Sequence, residues 1–411
     1  MRRILDKKKV FIGLSGGVDS AVSAALLKKQ GYEVVGVFIK TWHPDFLPCN
    51  EEEERRDAMR IAAYLDIPFL TFDLEDVYKK EVADYMIAEY KAGRTPNPDV
   101  MCNKHIKFGA FLKKALSMGA DFVATGHYAQ NSSQAHFLKR LSQAGEPRMS
   151  DFSAEKYATV QKVAPRKSFV PEEQDFIFSL IKGCDLNKDQ SYFLWTLKQQ
   201  QLSKILFPVG NLKKTKVRKL AKRFNLPVAL KKDSQGICFL GDVDLKEFLK
   251  HYIKEKKGKV CNLKRETIGH HNGVVFYTLG ERHGFTITKK NPNDGAYYVI
   301  GKDIKKNILI VSQRPAGKRS DLEEERSDGK GLTLGRLKLS LENTNWISRV
   351  PELKKTYTAQ IRYHGELFSC KVKIVSKTKA EITFSKPVLV ASGQSCVLYD
   401  KDICLGGGVV A

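Results

Sequence analysis

Along the amino-terminal third of the chain, short apolar runs alternate with stretches of helical periodicity. Residues 10–14 (VFIGL) read as a buried strand and 21–29 as the helix that follows it. Residues 34–39 make a second strand, 55–65 a helix and 67–70 a third strand. Helices at about 77–90 and 107–117 precede a fourth strand at 121–125. Strands separated by helices of this length imply crossover connections, and so a parallel sheet with helices on both faces. Ligands of such sheets sit at the carboxyl ends of the strands, which directs attention to the loops after Leu14, Ile39 and Thr125.

The rhythm fades from 131 to about 182, a stretch rich in Ser, Gln, Lys and Glu that reads as an insertion. Helices resume at 192–197 and 215–224. In the second of these, Val217, Leu220, Ala221 and Phe224 follow the spacing of one buried face. Beyond Gly258, short strands broken by turns take over: VVFYTLG, AYYVIG and NILIVSQ. After the polar loop 316–331, TYTAQIRY, FSCKVKIV, AEITF and SCVLYD alternate at period two and predict a small antiparallel barrel or sandwich. The expected fold class is α/β. A parallel-sheet, Rossmann-like domain over 1–232 would carry the insertion at about 131–182. A small central connector over 233–306 and an antiparallel β-barrel over 307–411 would follow.

Composition then narrows the partners. The 411 residues carry 70 Lys+Arg against 46 Asp+Glu, a formal charge of +24. That surplus is large for an enzyme of small neutral metabolites and points to a polyanion or an anionic membrane. Nine of the basic residues fall between Lys213 and Lys232 with no acid among them, and this run is expected to hold phosphates. A hydrophobic content of 42% excludes wholesale disorder. No apolar run is long enough for a bilayer-spanning helix, and the placing of the basic run 213–232 directly before a cysteine motif leaves no membrane partner expected. The eight cysteines include no CxxC pair and fit neither a zinc module nor a secreted disulfide framework. A reducing, cytoplasmic setting is the expectation. The basic start MRRILDKKKV leaves no room for a targeting segment before the strand at Val10.

Three motifs carry chemistry. Ser15-Gly16-Gly17-Val18-Asp19-Ser20 lies between the first strand and its helix. Its glycines let backbone N–H groups approach phosphate oxygens, the helix start adds its positive end, and Asp19 offers a carboxylate for magnesium. It is not a Walker loop, because no lysine within it reaches the terminal phosphates. Gly93-Arg94-Thr95-Pro96-Asn97-Pro98-Asp99-Val100-Met101-Cys102-Asn103 has two prolines in three residues and reads as a rigid loop. It would deliver Cys102 to a helix start, where thiolate is favoured, with Asp99 placed to move a proton. Lys104, His105 and Lys107 would lower the thiol pKa further. Asp233-Ser234-Gln235-Gly236-Ile237-Cys238-Phe239-Leu240-Gly241 sets Cys238 in an apolar strand, an ordinary core cysteine when read alone.

Taken together, the three motifs resemble the tRNA 2-thiouridylases (the MnmA/TrmU family), enzymes of the ATP pyrophosphatase, or PP-loop, type. The resemblance runs in order through SGGVDS (15–20), AEYKAGRTPNPDVMCNKHIKFGAF (88–111), GADFVATGHYA (119–129) and NKDQSYFL (187–194). It continues through LFPVGNL (206–212), KKDSQGICFLG (231–241), YTLGERHG (277–284) and GQSCVLYD with CLGGGVV (393–410). It implies ATP with Mg2+ on Gly13, Leu14, Ser15, Gly16, Gly17, Val18, Asp19 and Ser20, with Ile39 and Gly126 lining the nucleotide. It further implies adenylation of the uracil position-2 oxygen of a wobble uridine, then sulfur transfer from a Cys238 persulfide loaded by a sulfur-carrier protein. Cys102 would be its thiol partner, through a Cys102–Cys238 disulfide, and Asp99 the acid/base. Asn97, Pro98 and Asp99 would meet the target base of the tRNA anticodon stem-loop. His127, Lys188, Asp189, Gln190, Arg362, Tyr363 and Gln394 would contact the rest. The sequence departs from the family at Glu281 and His283, where Gln and Lys are more familiar, at Ile39 in place of Met, and in the lengths of 131–182 and 316–331.

Two other classes compete. An amide-forming ATP pyrophosphatase would account for SGGVDS but not for the two placed cysteines or the charge. A non-enzymatic RNA-binding module rests on the charge and the β domain alone. Asp99, Cys102 and Cys238 also suit an iron–sulfur cluster with one iron left open, although the two-cysteine scheme needs no metal.

Overall fold

The computed structural model describes residues 7–47, 50–132, 178–233, 244–289, 294–313 and 335–411. Cys238, the greater part of the insertion and the polar loop 316–331 lie outside the described residues.

The first domain is built on five parallel strands: β1 (Lys9–Gly13), β2 (Glu33–Lys40), β3 (Phe69–Asp73) and β4 (Phe122–Ala124), with the later β7 (Ile205–Leu206), in the order β3-β2-β1-β4-β7. Alternate side chains leave the sheet on opposite faces. Val10, Ile12, Val34 and Phe38 join one buried cluster with α1 (Val18–Lys29) and α2 (Glu51–Tyr64), whereas Phe11, Val35, Val37 and Ile39 join the other. Each such side chain contributes on the order of 2 kcal/mol by leaving water, so both faces must be covered. On the second face, α3 (Glu75–Tyr78) runs through a wide-wound π segment (Lys79–Asp84) into α4 (Tyr85–Lys91). Next, α5 (Pro98–Met101) continues through a longer π segment (Cys102–Phe111) into α6 (Leu112–Ser117). The third strand begins two residues later than its apolar run, because Pro68 has no N–H for the ladder and pairing starts at Phe69 opposite Gly36.

The chain then passes through β5 (Ala129–Asn131), β6 (Leu180–Lys182), α7 (Gln199–Leu202) and α8 (Lys214–Arg223). The helix expected over 192–197 is a single 3-10 turn, Ser191–Leu194, held by tertiary bonds. Tyr192 donates to Ser395 O at 3.0 Å and Trp195 Nε1 to Ser395 Oγ at 3.1 Å. Beyond α9 (Leu245–Lys250), a second sheet takes β8 (Gly258–Cys261), β9 (Thr267–His271), β10 (Thr286–Ile287), β11 (Tyr298–Asp303) and β12 (Ile308–Ser312) in the order β10-β9-β8-β12-β11. VVFYTLG, expected as a strand, opens on a 3-10 turn (Val274–Phe276), because Gly273 at φ 145° turns the chain and Phe276 N–H bonds back to it.

The last strands are β13 (Arg336–Trp346), β14 (Thr356–Gln360), β15 (Leu367–Ser376), β16 (Lys379–Val388), β17 (Ser395–Asp400) and β18 (Ile403–Val410). They run β13-β16-β15-β14-β17-β18, and β13 pairs with β18 to close the barrel. The ends of the stretch read as an insertion are ordered strands: β6 pairs antiparallel with β18, Ile181 opposite Ile403, and with β5. The barrel sheet therefore extends into the first domain, a join that no local pattern announces. Arg362 and Tyr363 lie just past β14, in a turn closed by Gly365 N–H on Arg362 O with His364 at φ 56°, rather than in a strand.

Gly210 lets the segment leading to α8 pass against β5: a Cβ there would lie 1.7 Å from Ala129 O. Gly31 has φ +86° but open space around it. Gly210→Ala is expected to cost about 3 kcal/mol or more, through backbone displacement. Gly31→Ala should cost only about 1 kcal/mol of left-handed strain. Thermal melting of both variants against the parent checks the order.

Candidate active site

The SGGVDS segment turns from β1 into α1. Gly16 has φ +68°, and a Cβ on it would sit 2.6 Å from Glu54 O. Gly17 caps α1 with no side chain on the first helical N–H groups, which leaves them available to an anion. Ser20 Oγ lies 3.3 Å from Ser15 N and Ser15 Oγ and donates to Gly17 O at 3.1 Å, which draws the loop into a cradle. Gly126 presses on the same turn, where a Cβ would be 2.8 Å from Ser20 N, and Ile39 is buried beside Gly13. These features fit a phosphate chain at the carboxyl end of the sheet.

Asp19 lies in the first turn of α1. Its Oδ1 accepts from Tyr128 OH at 2.7 Å and from Lys214 Nζ at 2.7 Å, and its Oδ2 accepts from Lys214 Nζ at 2.8 Å. Lys214 also pairs with Asp233 Oδ1 at 2.9 Å. Asp233 receives Lys188 at 3.2 Å and the Arg218 guanidinium as well. Burial alone would raise the Asp233 pKa, but these three cations pull it down to about 2. Tyr128 is raised, chiefly by burial and then by the Asp19 charge. Both oxygens of Asp19 are thus engaged by an ammonium and a phenol, a donor set that does not suit a resident magnesium ion. Among the described residues no group of three or more His, Cys, Asp or Glu could hold a metal.

The second motif is part helix, not loop. Asn97 Oδ1 accepts from Val100 N at 3.2 Å and Pro98 occupies the first helical position, so the helix starts at Pro98, ahead of the expected thiol Cys102. Cys102 follows α5 at the start of the π segment and is fully buried. Asn103 Nδ2 donates to Asp99 O at 3.0 Å. His105 faces Glu81, with Nδ1 3.5 Å from Oε2, and burial followed by Lys104 lowers its pKa.

The segment before this helix is held by the other two domains. Thr95 N–H donates to Ser392 O at 2.8 Å, Thr95 O accepts from Gln394 Nε2 at 2.9 Å, and the Thr95 hydroxyl meets Thr278 Oγ1 at 3.3 Å. Arg362 donates to Leu279 O at 2.7 Å, in the same turn as Thr278. Tyr363 packs on Phe193 at 4.4 Å and stacks with His364 at 3.9 Å. Its pKa rises to about 12 through burial and then the Asp189 and Asp99 charges.

The remaining expected tRNA residues divide between surface and interior. Lys188 is half-exposed on Asp233. Asp189 accepts from Gly183 N, Ser191 N and Ser191 Oγ at 2.8, 3.1 and 2.9 Å, and burial raises its pKa against those bonds. Gln190 Oε1 accepts from Tyr128 N at 2.9 Å. His127 is buried between Phe108 and Phe207, 2.8 Å from Thr125 Oγ1, and desolvation holds its pKa well below the usual value. In the basic run, Lys214, Arg218 and Lys231 turn inward onto Asp19, Asp233 and Asp57. Lys213, Lys216, Lys219, Lys222, Arg223 and Lys232 are exposed. Sequence reasoning did not single out Tyr128 or Lys214, which meet Asp19 across 109 and 195 positions.

The depressed Asp233 pKa has a stability consequence. Its contribution is complete above the unfolded carboxylate pKa near 4 and is lost as pH falls through about 2. With the side chain 32% exposed, solvent screening leaves on the order of 1 kcal/mol. Asp233→Asn should remove that share of the fall in stability between about pH 4 and pH 2. Denaturant unfolding across that interval, parent against variant, measures it.

Comparison with known proteins follows the three-part architecture. Residues 8–242 match the family described as tRNA methyl transferase HUP domain, 246–313 the tRNA methyl transferase PRC-barrel domain, and 336–410 the aminomethyltransferase beta-barrel domain. A tRNA-specific 2-thiouridylase MnmA of Streptococcus thermophilus is 39% identical over 98% of this chain and 95% of its own length. Enzymes of that name from Geobacillus thermodenitrificans (100% of this chain, 96% of that one) and Nitrosomonas europaea (99% of each) are also 39% identical. Among solved structures, the U34-tRNA thiolase NcsA of Methanococcus maripaludis with its 4Fe–4S cluster is 17% identical over 62% of this chain and 70% of its own, at a TM-score of 0.31, too weak a likeness to argue from. With matches across all three domains and 39% identity over nearly every residue, the chain belongs to the MnmA family of tRNA-specific 2-thiouridylases.

Proposed function

We propose that this chain is an ATP-dependent tRNA sulfurtransferase that converts the wobble uridine to 2-thiouridine, releasing AMP and pyrophosphate. The observation that carries the reading is full-length identity to curated 2-thiouridylases, joined to an uncapped glycine loop that fits a phosphate chain. The methyl transferase wording of the family descriptions is less apt, because the glycine cradle and the two cysteine motifs suit nucleotide activation and sulfur chemistry.

In this reading the phosphates lie on Gly13–Ser20 and the base is turned out of the anticodon loop toward Asn97, Pro98 and Asp99. The uracil position-2 oxygen attacks the α-phosphorus, the bond to the β-phosphate breaks, and pyrophosphate leaves with the electron pair. The terminal sulfur of the Cys238 persulfide then attacks carbon 2, and AMP departs carrying the former carbonyl oxygen. Cys102 thiolate attacks the Cys238 sulfur, breaks the S–S bond and leaves sulfur on the base and a Cys102–Cys238 disulfide, which external thiols reduce. In a variant of this sequence, Cys102 first frees hydrogen sulfide from the persulfide. Asp99 moves the proton. A sulfur-carrier protein reloads Cys238, and magnesium arrives as the counter-ion of ATP.

Held by the other two domains, Thr95 fixes where Asn97–Asp99 stand. Gln394 and Arg362 therefore serve the target base by positioning as well as by contact. Tyr363, Phe193 and His364 pack together and offer ring faces suited to an unstacked base. The six exposed cations of 213–232 hold phosphates without reading sequence.

Mass spectrometry of tRNA nucleosides after incubation with ATP, magnesium and a sulfide or persulfide source tests the function. 2-Thiouridine should form only with ATP present. Cys238→Ser should reduce persulfide-dependent product by at least about a hundredfold, because in this scheme Cys238 is the thiol that carries the sulfur. Full product from that variant, or none from the parent, would contradict the reading. Filter binding supplies a separate check. tRNA affinity should fall at least about tenfold between roughly 50 and 200 mM salt, with ATP affinity changing much less.

A further inference from the structure

In the YTLGERHG turn of the central domain, Arg282 and His283 are exposed, but Glu281 turns inward, its side chain 26% exposed. Glu281 Oε2 accepts from Thr278 N–H at 2.9 Å, and Oε1 pairs with Lys246 Nζ at 2.6 Å. Lys246 comes from α9 and lies over the Tyr277 ring, 4.2 Å from its centroid. Lys302 of β11 donates to Tyr277 O at 2.7 Å. The backbone is tight as well. Glu281 N–H bonds back to Thr278 O at 3.1 Å around Gly280, at φ +88°, and the turn exchanges bonds of 2.7 and 2.8 Å with Val299. These bonds surround Thr278, whose hydroxyl meets Thr95 Oγ1 at 3.3 Å across 183 positions. The barrel thus grips the Thr95 backbone, and the central domain grips its side chain.

We propose that Glu281, held by Lys246, is a positioning residue for thiolation: it fixes Thr278 against Thr95, so that Asn97 and Asp99 stand where the target uridine is met. The inference rests on the function proposed above. Thr95 is buried and lies two residues before Asn97 and four before Asp99, with little chain between them to absorb a shift. Chemistry at a single carbonyl tolerates little displacement, and a misplacement of about 1 Å can cost on the order of a hundredfold in rate. The tether is stiff for an electrostatic reason. Swinging Glu281 away would leave both the Thr278 N–H and the Lys246 charge unmatched in a half-buried place. Glu281 acts here through Thr278 and Thr95 rather than on the base itself. Its signature is therefore a slower step on bound tRNA with tRNA affinity preserved.

The test uses the full chain, single-turnover formation of 2-thiouridine at saturating tRNA with ATP and sulfide, and filter binding of the same tRNA. Thr278→Val removes one hydroxyl at nearly constant shape. It and Glu281→Ala should each slow product formation at least about tenfold, with tRNA affinity within about threefold of the parent. Thr278→Ser keeps the hydroxyl and should stay within about threefold of the parent rate. Because the two residues act along one path, the double variant should lie within about threefold of the slower single variant. Hydrogen exchange supplies an arm without turnover. In both single variants the amides of residues 93–97 should exchange at least about tenfold faster, while those of α1 keep their protection. An unchanged rate, a loss of tRNA affinity equal to the loss of rate, or effects that multiply in the double variant would each overturn the proposal. So would unchanged exchange across 93–97. A parent that makes no 2-thiouridine, with exchange across 93–97 raised in both variants, would sink the thiolation reading and leave the tether standing.

Discussion

The carboxylate of Asp19 gathers the first domain around its nucleotide loop. It draws Tyr128 from the loop between β4 and β5 and Lys214 from α8, and through Lys214 it reaches Asp233, Lys188 and Arg218. Each of these groups is costly to bury alone and acceptable in company, because every charge has a partner at hydrogen-bond distance. The consequence is geometric. Asp233, the first residue of the Cys238 motif, is tied through Lys214 to the same node as the phosphate cradle.

A second constraint fixes the first cysteine. The segment Gly93–Pro98 has two prolines that prevent it from making a regular ladder, so its position must come from elsewhere. Thr95 receives that support from three contacts: Ser392 and Gln394 in the barrel, and Thr278 in the central domain. Gly93, at φ +77°, leaves room only for the Ile304 side chain, which a Cβ would strike at 2.5 Å. Contacts from the barrel and the central domain thus converge on the short segment that leads into Asp99 and Cys102.

Much of this was legible in the chain itself. The two-faced sheet followed from the apolar runs of β1 and β2, and the closed barrel from the period-two strands after 355, because both patterns record burial locally. SGGVDS was placed between strand and helix for the same reason. The helix start at Asn97-Pro98 was also written there, as a cap followed by proline, but the neighbouring Pro96 hid it. What sequence could not give is pairing across distance. Nothing near Ala129 or Leu180 indicates that they extend the barrel sheet, and nothing near Lys214 separates it from the exposed lysines of its own helix. The charge run looked uniform, yet three of its cations face inward because acids from Asp19, Asp57 and Asp233 meet them.

The central claim is that the loop spends ATP on the uracil oxygen before sulfur arrives. The most direct measurement follows that oxygen. A tRNA substrate labelled with oxygen-18 at position 2 of the wobble uridine is turned over once with ATP and a sulfur source, and the AMP is weighed by mass spectrometry. The account predicts one heavy oxygen in the phosphate of each AMP formed per 2-thiouridine. AMP carrying only light oxygen, with the label released as water, would contradict it.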